Sequence, residues 1–305
     1  MGDIEQYINK ILDTTKNSDI TYSKKDKQCA PAKIFENGSC LKLPILIELV
    51  KAYNNNSTDK IKIDDTGKYM MLKPNKYKKY LIYQLKTKIG SKCSTQKCWL
   101  TQDFTKHLNT VIKKELENTW RPESPQGNFT WLTTTHIDSA LNQYKEKYND
   151  FHFFGAVPMD FNELSYYKSK ISDYDFIENY NKGIKKYGIV FNLDNHDQGG
   201  SHWTSMFIDL EKKHIFYFDS CANRPEERVR KFVRTVARNI KSIHKDTKDL
   251  KVDYNKVVHQ NGDTECGVYS INFIVKMLKH GDFYKISNTP ISDEKINVCR
   301  KVYFY

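Results

Sequence analysis

The octapeptide Gln260-Asn261-Gly262-Asp263-Thr264-Glu265-Cys266-Gly267 leads from a polar loop into an apolar helical pattern. Thr264 and Glu265 are typical of a helix start. Beyond them, apolar residues recur at three- and four-residue steps, at Val268, Ile271, Ile274, Val275 and Leu278. A thiol on the first turn lies near the positive end of the helix dipole, beside N–H groups without an intrahelical acceptor. Both features favour a reactive thiolate, so the stretch predicts that Cys266 is a nucleophile.

An imidazole base for this thiol is predicted from two strands upstream. Apolar runs at 187–193 and 203–210 flank the polar loop 194–201, which places His202 at the rim of a sheet. A short charged turn leads to the apolar run 214–218, so the second and third runs form a hairpin. Asp219 ends that hairpin and returns beside His202, where a carboxylate would orient the imidazole and stabilise its protonated form.

Gln260 supplies the fourth expected group, since its side-chain amide can donate to an oxyanion together with the Cys266 backbone N–H. Taken singly, none of these residues is decisive, because a cysteine on an apolar helix is more often a small core residue. Chain order and spacing carry the prediction. His202 and Asp219 are 17 positions apart across a hairpin, and Gln260 lies six before the cysteine.

In this order of His, Asp, Gln and Cys, the sequence resembles the superfamily of SUMO-deconjugating and adenovirus-type cysteine proteases. The matching positions are His202-Trp203, Asp219, Gln260 and Cys266-Gly267, and Trp131-Leu132 with Ile137-Asp138 resembles the motif that opens the catalytic domain. The resemblance covers about three-fifths of the chain, from Asn128 to Tyr305. It implies an α+β fold in which helices flank a mixed central sheet, and a triad that uses no cofactor and no metal.

Three segments resemble the polyprotein-processing proteases of large cytoplasmic DNA viruses such as African swine fever virus: Pro158-Met159-Asp160-Phe161, Thr264-Glu265-Cys266-Gly267 and Ile291-Ser292-Asp293-Glu294. Cellular members usually carry Asp immediately before the cysteine, where this chain has Glu265. The viral resemblance implies cleavage after Gly-Gly pairs in structural precursors during virion maturation. It also implies that Trp203 and Trp131 wall a narrow substrate cleft, although both are equally interpretable as core aromatics.

Length and composition indicate how many domains the chain can form and where the protein is located. The 305 residues, 39% of them hydrophobic, suffice for one ordinary domain plus an appendage. We expect a basic helical arm over 1–120, a linker with two prolines and a glycine over 121–127, and the catalytic domain over 128–305. No run approaches the roughly 18 apolar residues of a membrane span, and the N-terminus lacks an apolar signal core. The cytoplasm, of a host cell if the protein is viral, or the virion is therefore the expected location.

Apolar periodicity predicts five further helices and one further strand. In the arm it indicates four helices, at 4–11, 43–53, 78–89 and 100–116. In the catalytic part, a stripe at 229–243 indicates a helix and the run 250–258 a strand. Seven cysteines, an odd number, favour reduced thiols over a secreted disulfide framework. Four of them could imitate a zinc site, but their spacing is not that of a usual zinc motif: Cys29, Cys40, Cys93 and Cys98.

The net charge of +12 is concentrated in the arm, with +9 in residues 1–120 and +3 in the remainder. Between Lys73 and Lys88, lysines alternate with Tyr77, Tyr80 and Tyr83, a pattern suited to nucleic acid or to an acidic protein surface. A solvated helix face is the favoured interpretation of this run, and also of the basic residues over 228–241.

The sequence therefore predicts a cysteine endopeptidase that cleaves Gly-Gly sites in viral polyproteins. Three alternatives stay open. The protein could deconjugate SUMO or another ubiquitin-like protein, or be an acetyltransferase of the same superfamily that uses acetyl-CoA. It could also be a basic nucleic-acid-binding protein with a relict site. The complete set of four catalytic-type residues speaks against a relict.

Overall fold

Five strands form one mixed sheet at the centre of the catalytic part. They are β1 (Phe151–Val157), β2 (Lys186–Asn192), β3 (Trp203–Asp209), β4 (His214–Phe218) and β5 (Lys251–Tyr254), in the order β1-β2-β3-β4-β5. The two outer pairs are parallel and the two inner pairs antiparallel. Every residue of β3 is buried, as expected of the central strand in a sheet covered on both faces.

The structure is a computed structural model that describes residues 2–14, 22–127 and 130–305. Residues 128 and 129, where the sequence predicts the catalytic domain to begin, lie outside the described residues. The chain divides into two units, Met1–Arg121 with Tyr305 and Pro122–Phe304. Among the described helices, none has the length and apolar content that crossing a bilayer requires.

The α-helices of the first unit are α1 (Gly2–Thr14), α2 (Leu43–Asn56), α3 (Lys68–Leu72), α4 (Pro74–Ile89) and α5 (Thr110–Glu117). Short 3-10 helices lie at Lys25–Lys27, Gly90–Lys92, Lys97–Thr101 and Asp103–His107. Those of the second unit are α6 (Thr134–Asn142), α7 (Tyr144–Lys147), α8 (Ser165–Tyr167), α9 (Phe176–Asn181), α10 (Glu227–Ile243), α11 (Cys266–His280), α12 (Phe283–Asn288), α13 (Asp293–Val298) and α14 (Arg300–Tyr303). A π-helical turn covers Lys168–Ser172.

Period-two alternation divides the second unit into three layers. On β4, Phe216 and Phe218 pack into the core that contains α11 and α6, whereas Ile215 and Tyr217 pack into the core that contains α10. Helix α11 is apolar on nearly all sides because it is buried over almost its whole length, and it ends at Gly281, which adopts the left-handed conformation. The α+β prediction, with a mixed sheet and a helical N-terminal region, is confirmed.

The sequence did not predict the first strand of the sheet. β1 carries a register shift between Phe153 and Ala156, so its apolar alternation is broken. Gly155 lies in this shift with φ 111°, which favours glycine. Asp138, part of the motif that the resemblance identified, accepts the Ala156 N–H at 2.7 Å and so holds the irregular backbone.

One predicted helix of the first unit is wrong. The segment 100–116 is not continuous: it consists of parts of two 3-10 helices followed by α5. Local side-chain hydrogen bonds compete with a continuous helix here, since Thr105 Oγ1 donates to the carbonyls of Leu100 and Gln102, at 2.9 and 2.8 Å. Asn109 then starts a new helix by accepting the Ile112 N–H at 2.9 Å.

The lysine- and tyrosine-rich run of α4 does not present its aromatic rings as one exposed surface. Tyr77 and Tyr80 are buried in the core of the first unit, at 1% and 0% exposure. Lys78 is also buried and donates to the Ser39 carbonyl at 3.1 Å. These two tyrosines therefore have a packing role, and the interpretation of this run as a solvated face is wrong for Lys78.

Four of the seven cysteines are paired. Disulfides join Cys29 to Cys40 and Cys93 to Cys98, each across a Cα separation of 5.4 Å. The expectation of reduced thiols is therefore wrong for these residues, because the folded backbone brings each pair within bonding reach, which a count of cysteines cannot reveal. Cys221, Cys266 and Cys299 are free thiols.

Candidate active site

The β3–β4 hairpin brings His202 and Asp219 together. Ser205 pairs with Phe218, so the residues before β3 and after β4 meet at the same end of the hairpin. His202 Nε2 lies 2.6 Å from Asp219 Oδ1. Asp219 is fully buried, and the same oxygen accepts the Cys221 N–H at 2.8 Å. A carboxylate held in this way fixes the orientation of the imidazole ring.

The backbone of Asp219 is fixed by an asparagine that the sequence analysis did not single out. Asn255 follows β5, and its Oδ1 accepts the Asp219 N–H at 2.9 Å while its Nδ2 donates to the Asp219 carbonyl at 2.6 Å. Asn255 is itself 1% exposed. The buried Asn255 amide thus makes the hydrogen bonds to the Asp219 backbone that a continued β4–β5 pairing would make, since β4 and β5 end one residue earlier, at Phe218 and Tyr254. The sequence pattern gave no signal for this role, because Asn255 lies inside the run 250–258 that is predicted as one strand, whereas β5 ends at Tyr254.

The His202 imidazole is surrounded by groups that favour its protonated form. Burial lowers the pKa of His202, but hydrogen bonds with Asp219, Cys221 and Cys266 outweigh this effect and raise the pKa well above its ordinary value. Since Nε2 faces Asp219, the other ring nitrogen, Nδ1, is available to the thiol of Cys266. These contacts favour an imidazolium ring at His202, next to the Cys266 thiol.

Cys266 is the first residue of α11 and is 1% exposed. The residue before it, Glu265, does not cap the helix with its side chain. Its carboxylate instead accepts the Thr264 N–H and hydroxyl, at 3.0 and 2.7 Å, and the Asn297 amide at 2.9 Å. Arg300 adds a buried cation nearby, donating to the Thr264 carbonyl at 3.4 Å and interacting electrostatically with Cys266.

Leu132 and Trp203 explain why the start of α11 carries a glycine. A Cβ on Gly267 would lie 3.0 Å from Leu132 Cβ, so the absence of a side chain at Gly267 leaves the space that the Leu132 side chain occupies. Trp203 Nε1 donates to the Leu132 carbonyl at 2.8 Å, and Ser270 Oγ donates to the Trp203 carbonyl at 3.2 Å. Leu132, of the Trp131-Leu132 motif, thus packs helix α11 closely against the start of β3.

Gly267→Ala is expected to destabilise the protein by about 1–3 kcal/mol, because the added methyl overpacks against Leu132. Denaturant unfolding of the full chain measures this change. Gly199→Ala is the matched control, since a Cβ there meets no atom within 4 Å. Equal stabilities of the two variants would contradict the close approach.

Gln260 is oriented by three hydrogen bonds. Its Oε1 accepts the Ser220 hydroxyl at 2.7 Å, and its backbone N–H donates to the Ser220 carbonyl at 3.0 Å. Its Nε2 donates to the Gly262 carbonyl at 2.7 Å. Because the amide carries two N–H groups, one remains for a ligand. Ser220 directly follows Asp219, so the amide and the carboxylate are fixed by the same segment.

An aspartate from the end of the chain holds the loop that contains this amide. Asp293 Oδ2 accepts the N–H groups of Asn261 and Gly262 at 3.0 and 2.8 Å, and Oδ1 accepts the Tyr269 hydroxyl at 2.9 Å. Spacing and periodicity did not indicate this role. The segment Ile291-Ser292-Asp293-Glu294 drew attention only through its resemblance to the viral proteases, and that resemblance implied no role for Asp293.

A cleft of about 400 Å³ is lined in part by Gly200 and Trp203, which flank His202 in the sequence; His202, Asp219, Gln260 and Cys266 are not among its lining residues. Both tryptophans of the sequence analysis line it, but differently: Trp203 is 5% exposed and belongs to the core, whereas Trp131 is 38% exposed. Its other walls come from the loop before His202, from the turn after β1 and from α6 and the residues before it. These lining residues are Leu132, Thr133, Thr134, Ala156, Pro158, Tyr167, Asn192, Asn195, His196, Gln198, Gly199 and Gly200.

One group of side chains at the site has the composition of a metal site. Within the described parts of the chain, the ligand atoms of His202, Asp219 and Cys221 lie within 4.8 Å of one another. Two of these residues already share the 2.6 Å hydrogen bond described above. The third, Cys221, is an exposed thiol.

The family is decided by the match of the catalytic part to a known domain. Residues 130–304 match the model of the Ulp1 protease family, C-terminal catalytic domain. The chain belongs to the Ulp1 protease family. It is accordingly a cysteine protease, and His202, Asp219, Gln260 and Cys266 lie inside the matched region.

Viral members of the Ulp1 family are among the relatives. A protein of Acanthamoeba polyphaga mimivirus named as a thiol protease is 34% identical over 284 residues, which covers 90% of this chain and 92% of the relative. A protein of African swine fever virus named SUMO-1 cysteine protease is 28% identical over 240 residues, covering 72% and 86%. The crystal structure of an African swine fever virus protease has the same fold, with TM-score 0.62 and 23% identity over 95% of this chain and 99% of that one.

Proposed function

We propose that this Ulp1-family protease is an endopeptidase that cleaves after Gly-Gly pairs in viral structural polyproteins. Cys266 is assigned as nucleophile, His202 as base and acid, Asp219 as the group that orients His202, and Gln260 as oxyanion donor. The observation that carries the assignment is the His202 imidazole, hydrogen-bonded to Asp219 at 2.6 Å and to the thiol at the start of α11.

The chemistry follows from these positions. The Cys266 thiolate adds to the scissile carbonyl carbon, and the carbonyl electron pair moves onto oxygen, where the Cys266 N–H and the free N–H of Gln260 donate to it. When the oxyanion collapses, the C–N bond breaks and the His202 imidazolium protonates the leaving amine. Water then gives a proton to His202 while its oxygen adds to the thioester, and collapse releases the carboxylic acid and restores the thiolate.

The proposed preference for glycine rests on the cleft and on the relatives. Trp203, from the core, and Trp131, from the surface, line one narrow space beside His202. A residue without a side chain passes between such rings most easily, so both are assigned as substrate-binding residues. The two viral relatives, a thiol protease and a SUMO-1 cysteine protease, support a protein substrate.

A second candidate function is removal of a ubiquitin-like protein from its conjugates, and the name of the African swine fever virus relative favours it. Purified protein and its Cys266→Ala variant are to be incubated with peptides containing Gly-Gly-X and with a fluorogenic SUMO C-terminal reporter. We expect cysteine-dependent cleavage of the peptides. Faster cleavage of the reporter would favour the second candidate, and cleavage that persists in the variant would refute both.

The same proposal has consequences for domains and location. We assign catalysis to residues 128–305, the linker to 121–127, and a role in gripping the precursor to the arm at 1–120. The place of action is inferred to be the host cytoplasm or the virion, where structural precursors are found. Removal of residues 1–120 tests the arm: we expect cleavage of short peptides to persist and cleavage of a full precursor to fall.

Gln260→Ala is expected to lower kcat by about 100-fold with little change in KM, because the amide N–H is assigned to the oxyanion and not to the bound substrate. Gln260→Glu is the matched variant. It keeps the acceptor for Ser220 but places a carboxylate beside the oxyanion, so it should be no better than alanine. Steady-state kinetics with a Gly-Gly-X peptide measure both, and a change confined to KM would contradict the role.

Asp293→Ala is expected to lower kcat by about tenfold while KM stays within about twofold, since Asp293 holds the N–H groups of Asn261 and Gly262, which precede the Gly262 carbonyl bonded to Gln260. The double variant with Gln260→Ala tests the connection. If Asp293 acts through Gln260, the second substitution adds little to the first. Full additivity of the two losses would show that Asp293 supports the enzyme in another way.

A further inference from the structure

A second histidine and aspartate pair lies in the second unit, away from the nucleophile. Asp160 belongs to the segment Pro158-Met159-Asp160-Phe161, to which no role has yet been assigned, and is 5% exposed. Its Oδ1 accepts the backbone N–H of His196 at 2.9 Å, and its Oδ2 lies 2.6 Å from His196 Nδ1. Both carboxylate oxygens thus face one residue, so the anion is not presented to a ligand.

The His196 ring is held at the wall of the substrate cleft. It lines the cleft, and 54% of its side chain is exposed. Because Nδ1 faces Asp160, the outer nitrogen, Nε2, is directed away from that carboxylate. The hydrogen bond with Asp160 outweighs desolvation and raises the pKa of His196, so the ring is held toward its doubly protonated form, in which Nε2 donates.

The loop that carries this ring is fixed at three further points. Met159 N–H donates to the Asp194 carbonyl at 2.9 Å, Ser201 Oγ donates to Asp194 Oδ1 at 2.9 Å, and Arg228 Nη1 donates to Asn195 Oδ1 at 2.8 Å. The loop ends at His202. The position of the His196 ring is therefore set relative to the same hairpin that carries the base.

Among the described residues that line the cleft, His196 is the one with a basic side chain, and none is Asp, Glu, Lys or Arg. The remaining polar lining is neutral and consists of amides and hydroxyls. When protonated, this ring is a cationic donor in an otherwise neutral cleft lining, and such a donor favours an anionic acceptor on the ligand. Lysine or arginine at the same place would lose its hydration and face a like charge.

We propose that His196, oriented by Asp160, is a specificity-determining residue that selects substrates with Asp or Glu among the residues immediately before the Gly-Gly pair. This inference rests on the proposed function. It takes from that function the direction in which the substrate peptide lies, with the residues before the scissile bond in the cleft. The substrate class is accordingly narrowed from Gly-Gly sites in general to acidic Gly-Gly sites.

The test compares three series of peptides that carry Glu, Gln or Lys at each of the three positions before Gly-Gly. At one of these positions we expect wild-type kcat/KM to be about fivefold higher for Glu than for Lys, mainly through KM. His196→Gln should reduce this ratio to within about twofold, and His196→Lys, which restores a cation, should recover it. A role of His196 that only supports the loop would slow all peptides equally and leave the ratio intact.

Binding to the Cys266→Ala protein separates this proposal from the proposed function. If the wild type cleaves no Gly-Gly peptide, the proposed function fails, but fluorescence anisotropy of labelled peptides on the variant still reports the Glu-to-Lys preference. Gln198→Ala, which changes a neutral residue of the same cleft, is expected to leave that ratio intact. An equal affinity for Glu and Lys peptides, or a preference that survives His196→Gln, overturns the role of His196.

Discussion

Cys266→Ala is expected to lower kcat/KM for a Gly-Gly-X peptide by about 10⁴-fold or more, because the substitution removes the thiol that is proposed to form the thioester. The loss should appear in kcat. The substituted side chain is small and the position is buried in the core around α11, so the fold is expected to survive with at most a modest loss of stability.

The free thiol of Cys299 supplies the control for this substitution. Cys299→Ala removes a half-buried thiol and should leave kcat/KM within about twofold, since the thiol hydrogen-bonds with Asn272 and with the Lys295 carbonyl, neither of which has an assigned catalytic role. Peptide binding to Cys266→Ala, followed by anisotropy, shows that the cleft is still formed. Cleavage at the wild-type rate by the variant would end the assignment of Cys266, and loss of binding would trace its inactivity to a damaged site.

Asp219→Ala is expected to lower kcat/KM by about 10³- to 10⁴-fold, because the His202 ring would lose the acceptor that orients it. The same change removes the acceptor of the Cys221 N–H, a part-buried hydrogen bond, which costs about 1 kcal/mol of stability. Activity must therefore be measured well below the unfolding midpoint of the variant. Kinetics at several temperatures together with a thermal unfolding curve provide this.

Asp219→Asn separates orientation from charge. Its amide oxygen can still accept the Nε2–H of His202, so we expect at least about a tenfold recovery of kcat/KM over the alanine variant. The removed negative charge also favours a neutral imidazole. By the sign of this effect, the imidazolium should be lost at lower pH in the asparagine variant than in the wild type, whose His202 pKa is raised in part by Asp219. Identical pH profiles would contradict this electrostatic role.

The sequence was most informative where periodicity and chemistry coincide. Helix α11 begins at Cys266 as its apolar spacing predicted, and the β3–β4 hairpin follows from two alternating runs and a short turn. These two elements carry three of the four predicted catalytic residues, and the structure brings His202, Asp219 and Cys266 into contact through the imidazole. Local pattern was sufficient because each residue lies at the end of a regular element.

Residues that act through long-range contacts could not be predicted in this way. Asn255, Asp293 and Asp160 lie 36, 31 and 36 positions from the residues whose backbone they hold. Nothing in local periodicity distinguishes such a side chain from one that faces solvent. The missed strand β1 has the same cause, since it pairs with a distant segment. The two disulfides join cysteines only 11 and 5 positions apart, and they depend on a folded backbone geometry that a count of cysteines does not contain.

The burial of α11 also affects how the protein can change over evolutionary time. Helix α10 keeps one polar face in water, so many of its positions can exchange one charged residue for another without cost to packing. Nearly every position of α11 from Cys266 to Leu278 is enclosed by protein. Neutral drift therefore has little freedom there, and the helix that begins at Cys266 should change more slowly than the helix on the opposite face of the sheet.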